Sequence, residues 1–172
     1  YNIVDSVFVA KLSENALTAV SLAFPIQTLL IALGTGTGAG VNSLLSKQLG
    51  EGDLKQVSKT AMNGIFLAVM NFLVFVIVGI VGVRPFYASQ VKGADPEIMS
   101  FGIQYLTIVC VCSFGLYAQL IFEKLLQSTG KTLYSMITQG VGAVINIFLD
   151  PVLIFGLFGM PKLGVAGAAI AT

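Results

Sequence analysis

An asparagine and an aspartate stand four residues apart inside an apolar run that extends over residues 133–158. On a helix, residues with this spacing lie on one face, so the amide of Asn146 and the carboxyl of Asp150 are expected to point the same way. A charged acid at that depth in a membrane is costly unless it is protonated, paired or in contact with water. Pro151 follows directly and removes a backbone donor. This combination is typical of an ion-binding site, and the alternative is a hydrogen bond that only joins two helices.

A second candidate acid lies near the start of the chain. Tyr1 and Asp5 are also four residues apart, so a hydroxyl and a carboxyl are expected on one helix face. Because Asp5 lies close to the first polar loop, it is either a second buried acid or an acid at the membrane interface. Glu123 and Lys124, at the end of a later apolar stretch, are interpreted as a solvated pair rather than an ion site.

The composition indicates a protein that crosses a membrane several times. Of its 172 residues, 56% are hydrophobic and 10% are charged, whereas soluble domains have about 25% charged residues. The net charge of +1 and the lack of a basic stripe argue against a nucleic-acid partner. The chain has no histidine, which excludes a histidine-based metal site, general base or pH sensor. Cys110 and Cys112 lack the spacing of a redox or zinc motif.

Short polar turns separate the apolar stretches that would position the candidate residues. Membrane helices are predicted over residues 16–46, 57–83, 98–120 and 133–158, with partial helices before residue 11 and from residue 163. Arg84 and Pro85 are expected to end the second of these spans. The distribution of lysine and arginine places the polar loop at residues 47–59 in the cytoplasm. The chain begins and stops within apolar segments and has no initiator methionine, so we expect it to be incomplete at both ends.

A run of alternating glycines lies in the first full span, at Gly34, Gly36, Gly38 and Gly40. It lacks the preceding strand and the Lys-Ser/Thr pair of a phosphate-binding loop. Glycines four residues apart allow a neighbouring helix to approach closely. We therefore expect bulky substitutions at Gly36 or Gly38 to disrupt the helix bundle more than the same substitution at Gly64.

Five stretches of the chain resemble the multidrug and toxic compound extrusion (MATE) transporters. They are residues 1–9, 19–25, 46–53, 146–156 and 161–172, and in this order they cover nearly the whole chain. The resemblance implies an all-α, polytopic membrane helix bundle of twelve helices in two six-helix lobes. Residues 1–172 would be most of the N-terminal lobe, from late helix one to early helix six, and the C-terminal lobe would be missing.

The resemblance also implies a function. Members of the family are antiporters of the cell membrane, not enzymes, and they need no organic cofactor. They export small cationic and amphipathic compounds in exchange for H⁺ or Na⁺. In DinF-like and archaeal members, the coupling-cation or proton site consists of one acid on helix one, an asparagine and an acid on helix five, and a threonine on helix six. The residues that match are Asp5, Asn146, Asp150 and Thr172.

Two further details follow from the same resemblance. NorM-like members often have an asparagine at the position of Asp150, so the acid here favours the DinF-like branch. Tyr1 and Gln139 would be polar contacts for the substrate in the cavity of the lobe. The expected metal content is none beyond Na⁺ at the coupling site.

Three other functions stay open on the sequence. A lipid-linked sugar flippase of the same superfamily would handle a large anionic substrate and line its cavity with arginine or lysine, and no basic residue lies at the middle of a predicted span. An intramembrane aspartyl protease would use two aspartates that share a proton, but one of them normally follows a Gly-x-Gly sequence, which Asp150 does not. The last alternative is a helix bundle that transports nothing.

Overall fold

The computed structural model describes residues 2–91, 96–156 and 162–171, with only the backbone of residues 2–5. The described residues form helices and no strand, which confirms the predicted all-α class. The helices are α1 (Asn2–Ala10), α2 (Glu14–Glu51), α3 (Leu54–Ile77), α4 (Val83–Gln90), α5 (Pro96–Val111), α6 (Phe114–Ser128), α7 (Thr132–Phe155) and α8 (Val165–Ala171). A π-helical turn, Val78–Gly82, joins α3 to α4 without a break.

The long apolar helices correspond to the predicted membrane spans. Helix α2, the continuous segment Leu54–Gln90 and α7 have 38, 37 and 24 residues, and each is apolar enough to cross a membrane. Helices α5 and α6, which are bent by 41° between them, make a fourth span if the two cross the membrane together. The expectation that Arg84 and Pro85 end the second span is wrong, because α4 continues through them to Gln90. Pro85 follows the π-helical turn, where the ladder of backbone hydrogen bonds is already irregular.

Short capped turns connect the spans. Ser13 caps the start of α2 by accepting a hydrogen bond from the backbone N–H of Ala16 at 3.0 Å. Gly52 ends the same helix with a φ of 76°, a left-handed conformation that glycine adopts readily. We call the end of the bundle that holds the turns at Gly52 and Gly130 the inner end. The opposite, outer end holds the connection between α1 and α2.

Helix α2 lies at the centre and contacts α1, α3, α5 and α6. Buried tyrosines attach the neighbouring helices to its backbone. The Tyr87 hydroxyl of α4 donates to the Ala19 carbonyl at 2.6 Å, and the Tyr117 hydroxyl of α6 donates to the Leu30 carbonyl at 3.1 Å. These bonds use carbonyl groups on two levels of α2. The bond from Tyr117 fixes α6, which carries two of the polar residues described below, Glu123 and Lys124.

Gly34 and Gly38 are the glycines of the alternating run that face a neighbouring helix. A β-carbon at Gly34 would lie 2.6 Å from Cδ1 of Leu120, and one at Gly38 would lie 2.8 Å from Cγ of Lys124. Both contacts are with α6. The close approach predicted at Gly38 is therefore confirmed, because a larger side chain would push α6 away from α2.

The expectation for Gly36 is wrong. Gly36 and Gly40 have no atom of the described residues within 4 Å of an added β-carbon. Residues two apart on a helix point to nearly opposite sides, so the two pairs of glycines cannot face the same neighbour. Gly64, named as the tolerant position, is itself crowded, since a β-carbon there would lie 2.9 Å from Cγ1 of Val41.

Large apolar side chains are exposed along two of the spans. They include Met62, Phe66, Ile77 and Ile80 on the segment Leu54–Gln90, and Leu133, Met136, Val144 and Phe148 on α7. A chain in water would bury such surfaces. Exposed apolar faces on helices long enough to span a bilayer are expected of a multi-pass membrane protein, where lipid or another part of the protein covers them.

Candidate functional site

Helix α7 carries the polar pair from which the sequence predicts an ion site. Asp150 is 0% exposed and Asn146 is 3% exposed. The Nδ2 atom of Asn146 lies 3.4 Å from Oδ1 of Asp150, so the two side chains share one face, as predicted. Pro151 lies within α7 and has no N–H, so the carbonyl of Ile147, four residues earlier, lacks its usual helical donor. The helix nevertheless continues to Phe155.

Helix α8 closes one side of this pair. Nδ2 of Asn146 donates to the carbonyl oxygen of Ala171 at 3.0 Å. The helices can meet this closely because five of the seven residues of α8 are alanine or glycine. Its Gly167 is packed so tightly that an added β-carbon would lie 2.5 Å from the carbonyl oxygen of Leu153.

The other predicted members of the coupling site are only partly described. Asp5 lies on α1, which contacts both α7 and α8, but its side chain lies outside the described residues. Phe8, one turn further along α1, packs its ring edge-on against Phe155 with centroids 6.4 Å apart. Thr172 follows Ala171 directly and lies outside the described residues, as does Tyr1. The roles predicted for Asp5, Thr172 and Tyr1 stay predictions.

Oxygen atoms are the ligands that this site offers to a small hard cation. Asp150 contributes a buried carboxyl, and Oδ1 of Asn146 is a buried acceptor that receives no hydrogen bond from the described residues. A buried amide oxygen without a donor is unfavourable unless a cation or water contacts it. Carboxyl and amide oxygens suit a hard cation such as Na⁺, and a carboxyl also binds a proton. Within the described ranges, no three His, Cys, Asp or Glu residues form a metal-binding group.

A second polar cluster, at Glu123, overturns the interpretation of Glu123 and Lys124 as a solvated pair. Glu123 is 8% exposed. Its Oε1 accepts from Nε2 of Gln127 at 2.8 Å and lies 3.4 Å from Nζ of Lys124, and its Oε2 accepts from Nε2 of Gln139. The pair is shielded because α7 covers Glu123 from one side.

Helix packing also explains why Lys124 does not extend into solvent. The stem of Lys124 lies over Gly38 of α2, and its side chain is only 19% exposed. Nζ of Lys124 also donates to Oε1 of Gln127 at 2.9 Å. The sequence does contain a signal for this cluster, since Glu123 and Gln127 on α6, and Ser135 and Gln139 on α7, are each four residues apart.

Gln139 links the cluster to the exposed side of α7. Gln139 as a whole is exposed, while its amide nitrogen donates to the carboxylate of Glu123 on α6. The predicted role of Gln139 as a contact for substrate is thus compatible with its position, and it stays a prediction.

The two polar clusters lie on the same face of α7. At 100° per residue, Ser135, Gln139, Asn146 and Asp150 fall within a sector of roughly 60°. Ser135 and Gln139 lie towards the inner end of α7, and Asn146 and Asp150 towards the outer end. The small residues Gly142 and Ala143 separate the two halves of this polar stripe.

Comparison with known proteins relates this arrangement to membrane transporters. The MatE family model matches residues 1–152. The FAD transporter of Shewanella oneidensis is 28% identical over 172 residues, which are 100% of this chain and 38% of that protein. The probable multidrug resistance protein NorM of Thermotoga maritima is 30% identical over 176 residues, covering 100% of this chain and 37% of the relative. The chain therefore spans less than two fifths of the length of these relatives.

Solved structures agree with the fold. The inward-facing conformation of a multidrug resistance MATE family transporter of the MOP superfamily matches with a TM-score of 0.91 and 28% identity, over 100% of this chain and 38% of that one. A MOP superfamily transporter from Pyrococcus furiosus, described as having a binding pocket of reverse polarity that suggests a different function, matches with a TM-score of 0.88 and 28% identity, over 100% of this chain and 37% of that one. The helices described above thus have the arrangement found in these transporters, within the N-terminal lobe.

Proposed function

This chain belongs to the MatE family, and from this membership we propose that it is the N-terminal lobe of an antiporter that exports small cationic or amphipathic compounds in exchange for H⁺ or Na⁺. The observation that carries the proposal is the buried pair Asn146 and Asp150 on α7. The relatives are transporters, so we do not propose an enzyme such as an aspartyl protease. The C-terminal lobe would be supplied by the rest of a longer protein.

The pair supports antiport because a buried carboxyl has two states with different requirements. With a proton or a cation bound, Asp150 is neutralised and is stable against the packed face of α8. Ionised and without a cation, it requires water or a shift of the neighbouring helices. A site with two such arrangements can exchange a coupling ion for a substrate, because each ligand favours one arrangement. The missing donor at Pro151 gives α7 a position at which it can bend.

The charges of the inner cluster favour a cationic substrate over a large anionic one. Lys124 is a partly buried basic residue on the span formed by α5 and α6, and it is paired with Glu123. Its Nζ atom contacts Glu123 and Gln127 within the lobe and is not directed at a phosphate. A flippase for lipid-linked sugars, or a transporter of a flavin dinucleotide like the Shewanella relative, would need positive groups that are free to contact phosphates.

Transport by the full-length protein in proteoliposomes tests the proposal. We expect export of a fluorescent organic cation that is driven by an inward Na⁺ gradient or, measured separately, by an inward proton gradient. A flavin dinucleotide should not be moved under either gradient. Transport of the dinucleotide without transport of the cation would favour the function of the Shewanella relative instead.

A further inference from the structure

Glu123 is a buried acid within a membrane-spanning segment, and it takes no part in the coupling site proposed at Asp150. It lies five residues before the end of α6, about 8 Å from the inner end of that helix. Acids at such positions are rare and are generally functional, as proton acceptors or ion ligands, although they also occur in ion pairs that only join helices. The contacts of Glu123 distinguish between these two roles.

The closest partners of Glu123 are neutral amides rather than its cationic neighbour. Gln127 donates to Oε1 at 2.8 Å, whereas Nζ of Lys124 lies 3.4 Å from the same oxygen. Lys124 has its own shorter bond, to Oε1 of Gln127 at 2.9 Å. If the acid became neutral, Lys124 would therefore keep its shortest hydrogen bond. Glu123 and Lys124 are consecutive residues of α6, so their ion pair does not join two helices, and the bond from Glu123 to α7 is made with the neutral amide of Gln139.

Amide partners can satisfy Glu123 in both of its charge states. The side chain of glutamine has two N–H donors and an oxygen acceptor on one rotatable group. In the arrangement described, the amide of Gln139 donates to the carboxylate. If this amide group rotates by about 180°, its oxygen can accept a hydrogen bond from the O–H of the protonated acid. Gln127, which also donates to Oγ of Ser135 at 3.1 Å, supports the other oxygen.

We propose that Glu123 is a second proton-binding group of the transporter, held in both charge states by Gln127 and Gln139 at the inner end of the polar stripe on α7. The inference rests on the proposed function, because a second proton-binding group has a role only in a protein that exchanges H⁺ for a substrate. Gln139 lies seven residues from Asn146, roughly 10 Å along α7. The two acids therefore belong to separate sites.

Among the described residues, Lys124 is the charged group that contacts Glu123. Helix α7 contributes Ser135 and Gln139, which are neutral, and α2 contributes Gly38, which lies under the stem of Lys124. Helix α3 contacts α6 through Gly64, whose added β-carbon would meet Ile121. The charged residues at the inner ends of the neighbouring elements are exposed, and they are Lys47, Glu51, Asp53, Lys55, Lys59 and Lys131.

Infrared difference spectroscopy of the full-length protein in liposomes, recorded as the pH is lowered, tests this proposal without requiring transport. Each buried carboxyl that takes up a proton adds a C=O stretching band. We expect Glu123→Gln to remove one such band, and Asp150→Asn to remove a different one. Glu51→Gln, at an exposed acid, should leave both bands. A spectrum of Glu123→Gln with every buried-carboxyl band of the wild type would overturn the proposal.

A second variant keeps the test decisive if Glu123→Gln fails to fold. Gln139→Leu retains Glu123 but removes the amide proposed to contact its carboxyl in both charge states. The C=O band assigned to Glu123 should then shift in frequency relative to the wild type, and a spectrum in which every buried-carboxyl band keeps its frequency would contradict the proposal. Failure of the proposed function is read separately, from export by Asp150→Asn, so the two ideas can fail independently.

Discussion

The side chain of Asn146 on α7 donates to the carbonyl of Ala171 on α8 at 3.0 Å. The same nitrogen lies 3.4 Å from Oδ1 of Asp150. One amide group therefore joins the buried acid to the backbone of the next helix. Its own oxygen is buried and receives no hydrogen bond from the described residues, which leaves it available to the cation that we propose for this site.

This arrangement predicts two separable effects of Asn146→Ala. The variant loses the bond to Ala171, which should lower stability by about 1 kcal/mol. It also loses the amide oxygen, so added Na⁺ or a lower pH should stabilise the variant less than it stabilises the wild type. Thermal unfolding of the full-length protein in detergent, with and without Na⁺, measures both. Asn63→Ala, at an exposed position on α3, is the matched control and should change neither value. An ion response in Asn146→Ala equal to that of the wild type would contradict the assignment.

The packing of α2 against α6 predicts unequal effects of leucine at neighbouring glycines. Gly34→Leu should destabilise the protein by about 1–3 kcal/mol or prevent folding, because the new side chain meets Leu120 on α6. Gly36→Leu adds a side chain on a face with no described neighbour and should have little effect. Thermal unfolding in the same detergent compares the two. Similar melting temperatures would show that Gly34 does not face a closely packed helix in the membrane.

The lobe by itself is predicted not to transport. Alternating access requires one lobe to move against another around a central site, and this chain covers 38% of a related transporter of known structure. Vesicles that contain only residues 1–172 should therefore show no more flux of an organic cation than empty vesicles. Flux above that background, abolished by Asp150→Asn, would mean that the lobe functions without a partner.

Sequence was sufficient for the features that depend on local periodicity. The shared face of Asn146 and Asp150 follows from their spacing, and the four spans follow from their length and apolar content. These properties belong to single helices. They do not depend on which helix lies alongside.

The errors arose where a neighbouring helix decides the environment. The sequence alone predicts a solvated Glu123 because the residue lies near the end of its span, and only the packing of α7 reveals that it is covered. The choice between Gly34 with Gly38 and Gly36 with Gly40 likewise depends on where α6 lies. The two pairs have identical spacing, so nothing in the sequence alone distinguishes them.

Gradient-driven export by the Asp150→Asn variant of the full-length protein tests the central claim most directly. The amide keeps the volume and most of the hydrogen bonding of the acid but cannot change charge, so folding should be preserved. Export of a fluorescent cation should fall to the level of empty vesicles at wild-type expression and thermal stability, while Glu51→Gln should export normally. Export by Asp150→Asn at the wild-type rate would show that this buried pair only joins helices and that coupling takes place elsewhere.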